Sequence, residues 1–187
     1  MRDRKAQLID TVQVLGALVR NIALKRALHG TWAEPHLNFW RLIYGNLMDL
    51  AVLEWCKLFG SDDAERQLVH WKNVAEDQDA FRAGLLAEVE MNETEWMKYW
   101  SDMKRYRDFN VAHHDPKREE ISHFPLLDPA LNGAIYYFEY VRRELEKLGV
   151  NQQPSNVRRY VELFEEQCAE VAKAATAATR EIPETVM

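Results

Sequence analysis

The stretch from Arg107 to His113 brings together residue types that can cleave a phosphodiester bond. Breaking RNA without a metal requires a base to take the proton of the ribose 2′-hydroxyl and an acid to protonate the leaving oxygen. Histidine can do either near neutral pH. Negative charge gathers on the phosphate oxygens in the transition state, and arginine offers a fixed fork of donors for it. The segment therefore predicts a metal-independent RNA-cleaving site.

Helix geometry bears on which histidine can act with Arg107. On an α-helix, residues seven apart share a face, whereas residues six apart are offset by roughly 120°. Arg107 should therefore face His114 most directly. It can meet His113 if the end of the helix loosens, or if two chains form the pocket. Both histidines remain candidates at this point.

The helix that carries these residues is predicted over 93–113. Asn92 is a suitable N-cap with acids after it, and Asp115 before a proline ends the helix. The face begins with Trp96, Tyr99, Trp100 and Met103, and it ends with Arg107, Asn110 and the histidines. Such a change from apolar to polar predicts a pocket where the core reaches a cleft or a subunit interface.

Charge limits how RNA could be bound. The formal net charge is -6, which argues against a broad basic surface that wraps nucleic acid. A local cationic patch is still present around the motif. Its members are Lys104, Arg105, Lys117 and Arg118, and Lys104, Arg105 and Asn110 are the candidate substrate-binding residues.

The remainder of the chain predicts an all-α bundle of about five to six main helices, up-and-down and without a sheet. Apolar residues make up 47% of the 187 residues, enough for the core of one domain spanning 1–187 with a frayed tail at 183–187. Segment 36–59 is apolar on nearly all sides, which predicts the centre of the bundle. The main helical patterns cover 3–29, 36–59, 93–113, 128–148 and 155–182, with short helices between 61 and 90.

No cofactor or metal is predicted. Cys56 and Cys168 are read as buried free thiols, since no Cys/His pattern accompanies them. His113, His114 and Asp115 with His123 are a weaker metal alternative, because adjacent residues rarely converge on one ion. A di-iron site at Glu120 and His123 would need a second motif of the same kind, which the sequence does not contain. No signal peptide or membrane span is predicted, so a cytoplasmic location is expected.

A purely structural interpretation of the motif is also open. Arginine and histidine near a helix C-terminus complement the helix dipole, and Asp108 could pair with Lys104 one turn before it. The functional alternative to catalysis is a helical module that dimerises or binds a nucleotide or protein partner.

The pattern Arg-Asp-x4-His, with Ala112 just before His113, resembles the R-x(4–6)-H motif of the HEPN superfamily. The wider stretch from Tyr106 to Asp115, YRDFNVAHHD, resembles its abortive-infection-type branch. The resemblance implies a helical bundle that dimerises and a metal-independent ribonuclease whose two motifs meet at the dimer interface. It implies that Arg107 binds the scissile phosphate, His113 transfers protons and Asp108 orients Arg107, with no fixed role for His114. A toxin or phage-defence effector with an antitoxin or other protein partner would fit.

Overall fold

The computed structural model describes residues 3–30, 37–60, 67–112, 124–151 and 154–185. All regular secondary structure in these residues is helical, and they contain no β-strand. The all-α prediction is therefore confirmed. The α-helices are α1 (Arg4–Gly30), α2 (Asn38–Phe59), α3 (Trp71–Val74), α4 (Gln78–Glu88), α5 (Glu93–Tyr106), α6 (Asp128–Lys147) and α7 (Val157–Ala178). A π-helical segment, Arg107–Ala112, continues from α5.

Helix α1 is the centre of the bundle, because it packs against α2, α6 and α7. Its inward face is a row of leucine, valine and isoleucine side chains that are almost completely buried. These side chains are Leu8, Leu15, Leu18, Val19 and Ile22. The periodicity of segment 3–29 predicted this face, although it did not predict that α1 would be central.

Helix α2 departs from the prediction of a fully central helix. Its second half is buried through Trp55, Leu58 and Phe59, whereas Phe39 and Leu42 in its first half are 60% and 63% exposed. Leu50, in the middle, is also exposed. The all-round apolar composition therefore does not mean all-round burial, because only the second half of α2 lies under α5.

The helix boundaries follow local chemistry. Asn92 and Glu95 form a reciprocal capping box at the start of α5, and Gly149, with φ at 72°, follows the end of α6. Helix α6 begins at Asp128 with Pro129 in its first turn, so Asp128 is the first helical residue and not the cap. Asn156 caps α7, because its side chain accepts a hydrogen bond from the backbone N–H of Arg159.

Aromatic side chains join α2, α5 and α6 into one core. The ring of Trp55 lies 5.9 Å from that of Trp96 and 5.7 Å from that of Tyr99. Phe59 contacts Trp96 and, on α6, Tyr137. Such edge-on and tilted pairs add to the stability that burial of the rings provides.

Both cysteines are free and buried, as predicted. None of the helices in the described residues combines the length and the apolar character needed to cross a lipid bilayer. Beyond α7, the Glu184 carboxylate accepts a hydrogen bond from the backbone N–H of Asn38, which ties the described part of the tail to the start of α2.

A buried histidine precedes α3. His70 is 1% exposed, and its Nδ1 accepts a hydrogen bond from the backbone N–H of Lys72 at 3.3 Å. Burial lowers the pKa of His70 to about 4, against a smaller opposing effect of the Phe59 backbone. The imidazole is therefore neutral in the folded protein near pH 7.

Acid should destabilise the fold through His70. As the pH falls below about 6.5, the histidine of the unfolded chain binds a proton while the folded one stays neutral. The free energy of unfolding should therefore fall between pH 7 and pH 5, with a loss of about 2 kcal/mol due to His70. Urea denaturation at both pH values measures it. His70→Asn keeps a capping acceptor and serves as the control; an equal pH dependence in both proteins would contradict the prediction.

Candidate functional site

The helix changes type where the motif begins. Helix α5 ends at Tyr106, and Arg107–Ala112 follows as a π-helix. The chain is therefore helical through residue 112, as predicted, but its last six described residues here are not α-helical. A π-helical turn closes its hydrogen bonds over five residues, one more than an α-helical turn. The α-helical spacing that made His114 the more direct partner of Arg107 therefore does not apply here. His113 and His114 lie outside the described residues.

The predicted gradient along α5 is present. The side chains that begin this face, Trp96, Tyr99, Met103 and Tyr106, are each at most 8% exposed. Arg107 and Asn110, which continue the face into the π-helical segment, are half-buried. The motif therefore lies at the edge of the core, as the sequence predicted.

Asp108 holds the side chain of Arg107. Its Oδ1 accepts hydrogen bonds from Nε and Nη2 of Arg107, both at 2.7 Å. Partial burial works against the charge of Arg107, but the hydrogen bond to Asp108 helps to raise its pKa overall. The Arg107 side chain is 26% exposed. The guanidinium is thus permanently charged, oriented by Asp108 and partly open to solvent.

Arg107 also contacts a cysteine, which the sequence analysis did not connect with the motif. Cys56 on α2 interacts with the guanidinium. Burial raises the pKa of the Cys56 thiol to about 11, and Arg107 offsets this only in part. The thiol is therefore protonated near pH 7, which makes it a packing partner and not a nucleophile. No sequence signal could have paired residues so far apart.

A polar network lies behind the motif. The Tyr106 hydroxyl donates to Asp49 Oδ1 on α2 at 2.8 Å. Burial lowers the pKa of Lys25 on α1 to about 8, and the nearby charge of Asp49 opposes this shift only in part. Lys25 Nζ lies 3.2 Å from the centre of the Tyr44 ring and donates to the Tyr44 carbonyl. These contacts connect α1, α2 and the end of α5.

Asn110, a candidate substrate-binding residue, is half-buried. Its Oδ1 is buried and has no hydrogen-bond partner in the described part of the chain. A buried acceptor without a partner costs free energy, which marks this position as one that the described residues alone do not satisfy.

The flanking cations are only partly described. Lys104 is half-buried, with its Nζ 4.1 Å from the centre of the Trp100 ring. Arg105 is exposed, and Lys117 and Arg118 lie outside the described residues. Asp108 forms an ion pair with Arg107. In the described residues, no three His, Cys, Asp or Glu side chains are grouped to hold a metal ion.

The bond between Tyr106 and Asp49 should stabilise the end of α5. Asp49→Ala removes the acceptor of a hydroxyl on a residue that is 7% exposed, and Tyr106→Phe removes the donor. Because hydrogen bonds to charged groups contribute about 1.5–3 kcal/mol, the double-mutant cycle should give a coupling energy near the lower value. Urea denaturation of the four proteins measures it, and additive losses would show that the bond contributes nothing.

The described residues thus bring together Arg107, Asp108 and Cys56, with Lys104 near enough to affect the thiol. Asn110 lies in the same π-helical segment. They do not include the histidines that the predicted chemistry needs. Comparison of the chain with protein-family models, curated proteins and solved structures finds no match. Membership of the HEPN superfamily therefore stays a prediction from the motif.

Proposed function

We propose that this protein is a metal-independent endoribonuclease of the HEPN type. Arg107 binds the scissile phosphate, and Asp108 orients the guanidinium. His113 transfers protons, with His114 as the second candidate. The site is completed at the interface of a homodimer, where two copies of the motif meet.

The observation that carries the proposal is the state of Arg107. Its guanidinium is held by Asp108, remains 26% exposed and stands at the first residue of a π-helical segment. Single π-helical turns occur frequently at functional sites. A guanidinium that is always charged and held in one orientation at the edge of the core is well suited to bind phosphate oxygens.

The reaction would proceed by transfer within the RNA. One histidine takes the proton of the 2′-hydroxyl, and the 2′-oxygen attacks the neighbouring phosphorus. The bond to the 5′-oxygen breaks, and the histidine passes the proton that it has taken to that oxygen. A dimer holds two such sites, each with Arg107 from one chain and His113 from the other. Arg107 stabilises the charge on the non-bridging oxygens. The products are a 2′,3′-cyclic phosphate and a 5′-hydroxyl.

The surface of α2 supports the dimer. Leu42 and Leu50 are 63% and 44% exposed, and Leu50 follows Asp49, the hydrogen-bond partner of Tyr106. A second copy of the chain that covered α2 would remove these apolar side chains from water. A ribonuclease of this kind would act in the cytoplasm as a toxin or phage-defence effector, with an antitoxin or other protein partner.

The same apolar surface also favours the second candidate function. A non-catalytic helical module that dimerises or binds a nucleotide or protein partner would use Phe39, Leu42 and Leu50 in the same way. It would also suit a chain with a net charge of -6. The two functions differ in one result, the cleavage of RNA.

Arg107→Ala and His113→Ala should each reduce RNA cleavage by about 100-fold or more, because each removes a group that acts in the transition state. Cleavage is measured on purified protein in EDTA by gel electrophoresis of labelled RNA. Lys98→Ala, an exposed position on α5, is the matched control and should cleave as the wild type does. Circular dichroism should show the same helical spectrum in all four proteins. Cleavage by both motif variants at the wild-type rate would rule the proposal out.

A further inference from the structure

The side of α2 that faces away from the core carries a row of side chains with symmetric spacing. Its members are three, four, four and three residues apart, which places them on one face of the helix. They are Phe39, Leu42, Asn46, Leu50 and Leu53. The first four are exposed and Leu53 is half-buried, whereas the buried residues of α2 lie on the opposite side. We call this row the α2 seam.

A row that is symmetric about its middle residue is complementary to a second copy of itself. In an antiparallel pair of α2 helices that cross at Asn46, Leu42 lies opposite Leu50 of the partner subunit. Phe39 likewise lies opposite Leu53 of the partner subunit. A two-fold interface requires this kind of self-complementarity, and an unrelated partner would not.

The residue at the middle of the seam fits the same arrangement. Asn46 would meet its own copy at the two-fold axis, and an amide carries both a donor and an acceptor, so it can bond to another amide. A single asparagine in an apolar seam between helices fixes their register. None of the five seam positions carries a charge, so the interface buries no ionised side chain there.

We infer that the homodimer forms through the α2 seam, with the two helices antiparallel and the two-fold axis at Asn46. The inference names the face at which the two copies of the proposed ribonuclease meet, and so it rests on the proposed function. Burial of the leucine and phenylalanine side chains supplies the favourable free energy.

The seam also brings the two motifs to one side of the dimer. Helix α5 runs antiparallel to α2: Trp96 packs on Trp55, and further along α5 Tyr106 bonds to Asp49, nearer the middle of α2. Asp49 is three residues from Asn46. The two-fold rotation keeps both copies of Asp49 on the same side of the helix pair, about 9 Å apart along its length. The two ends of α5 that lead into the motif therefore approach each other, as a shared site requires.

A charge substitution tests the face. Leu42→Glu places two unpaired carboxylates in each dimer interface and should weaken association of the full chain by about 100-fold or more. Sedimentation equilibrium measures the dissociation constant. Leu163→Glu, at a leucine on α7 that is also exposed, is the matched control and should dimerise as the wild type does. Circular dichroism should show the same helical spectrum in all three proteins.

A second charge substitution tests the register. When Leu42→Glu is combined with Leu50→Lys, each introduced carboxylate of an antiparallel pair lies opposite an introduced ammonium group. Association should then return to within about tenfold of the wild type. In a parallel pair, like charges would face each other, and association would stay lost.

A disulfide tests the position of the two-fold axis. Helix axes about 8–10 Å apart bring the two facing copies of residue 46 close enough for a disulfide. Asn46→Cys should therefore form a cross-linked dimer on a non-reducing gel after mild oxidation. Arg41→Cys, exposed on another side of α2, should not, and the two native cysteines are buried.

Three results would each overturn the inference. They are a monomeric wild type, equal dissociation constants for Leu42→Glu and Leu163→Glu, and a double variant that stays dissociated. Cleavage of RNA that depends on Arg107, in a protein whose dimer is unaffected by Leu42→Glu, would overturn the seam and leave the ribonuclease standing. A dimer that forms through the seam but does not cleave RNA would do the reverse.

Discussion

The packing of α5 on α2 determines where the motif lies. Trp96, 1% exposed, and Tyr99 fit against Trp55, with ring centres 5.9 and 5.7 Å apart. Each aromatic pair of this kind adds about 0.5–1.5 kcal/mol beyond burial. A shift of α5 by one residue would turn Trp96 out of the core and break the bond from Tyr106 to Asp49 two to three turns further along. The position of Arg107 therefore follows from contacts that have no part in chemistry.

Beyond Tyr106 the balance of forces changes. The chain continues as a π-helix in which Arg107, Asp108 and Asn110 are half-buried polar side chains, and Val111 still packs against the core. Arg107 remains ordered because Asp108 engages two of its donors on one side and Cys56 lies on another. A buried, protonated thiol adds no competing charge. The result is a guanidinium that Asp108 holds in one orientation and that is partly exposed to solvent.

Sequence patterns predicted much of this arrangement. The periodicity of Leu8, Leu15, Val19 and Ile22 identified α1, and the gradient from Trp96 to Arg107 placed the motif at the edge of the core. The π-helical turn was not predictable, because the side-chain pattern is the same whether the backbone bonds close over four or five residues. The contact of Arg107 with Cys56 and the exposure of Phe39 depend on how helices dock, which an apolar composition cannot specify. The sequence did not predict that α1 and not α2 is the central helix, because this too depends on how the helices dock.

The account depends most on one claim, that Arg107 of one chain and His113 of the other form a site that cleaves RNA. Coexpression of Arg107→Ala and His113→Ala chains with different tags, followed by two affinity steps, isolates the mixed dimer. If the site is shared, this dimer contains one intact site out of two and should cleave RNA at about half the wild-type rate, since the two sites are related by symmetry. Each homodimeric variant should be inactive. A mixed dimer as inactive as its parents, or a failure to form any dimer, would contradict the account.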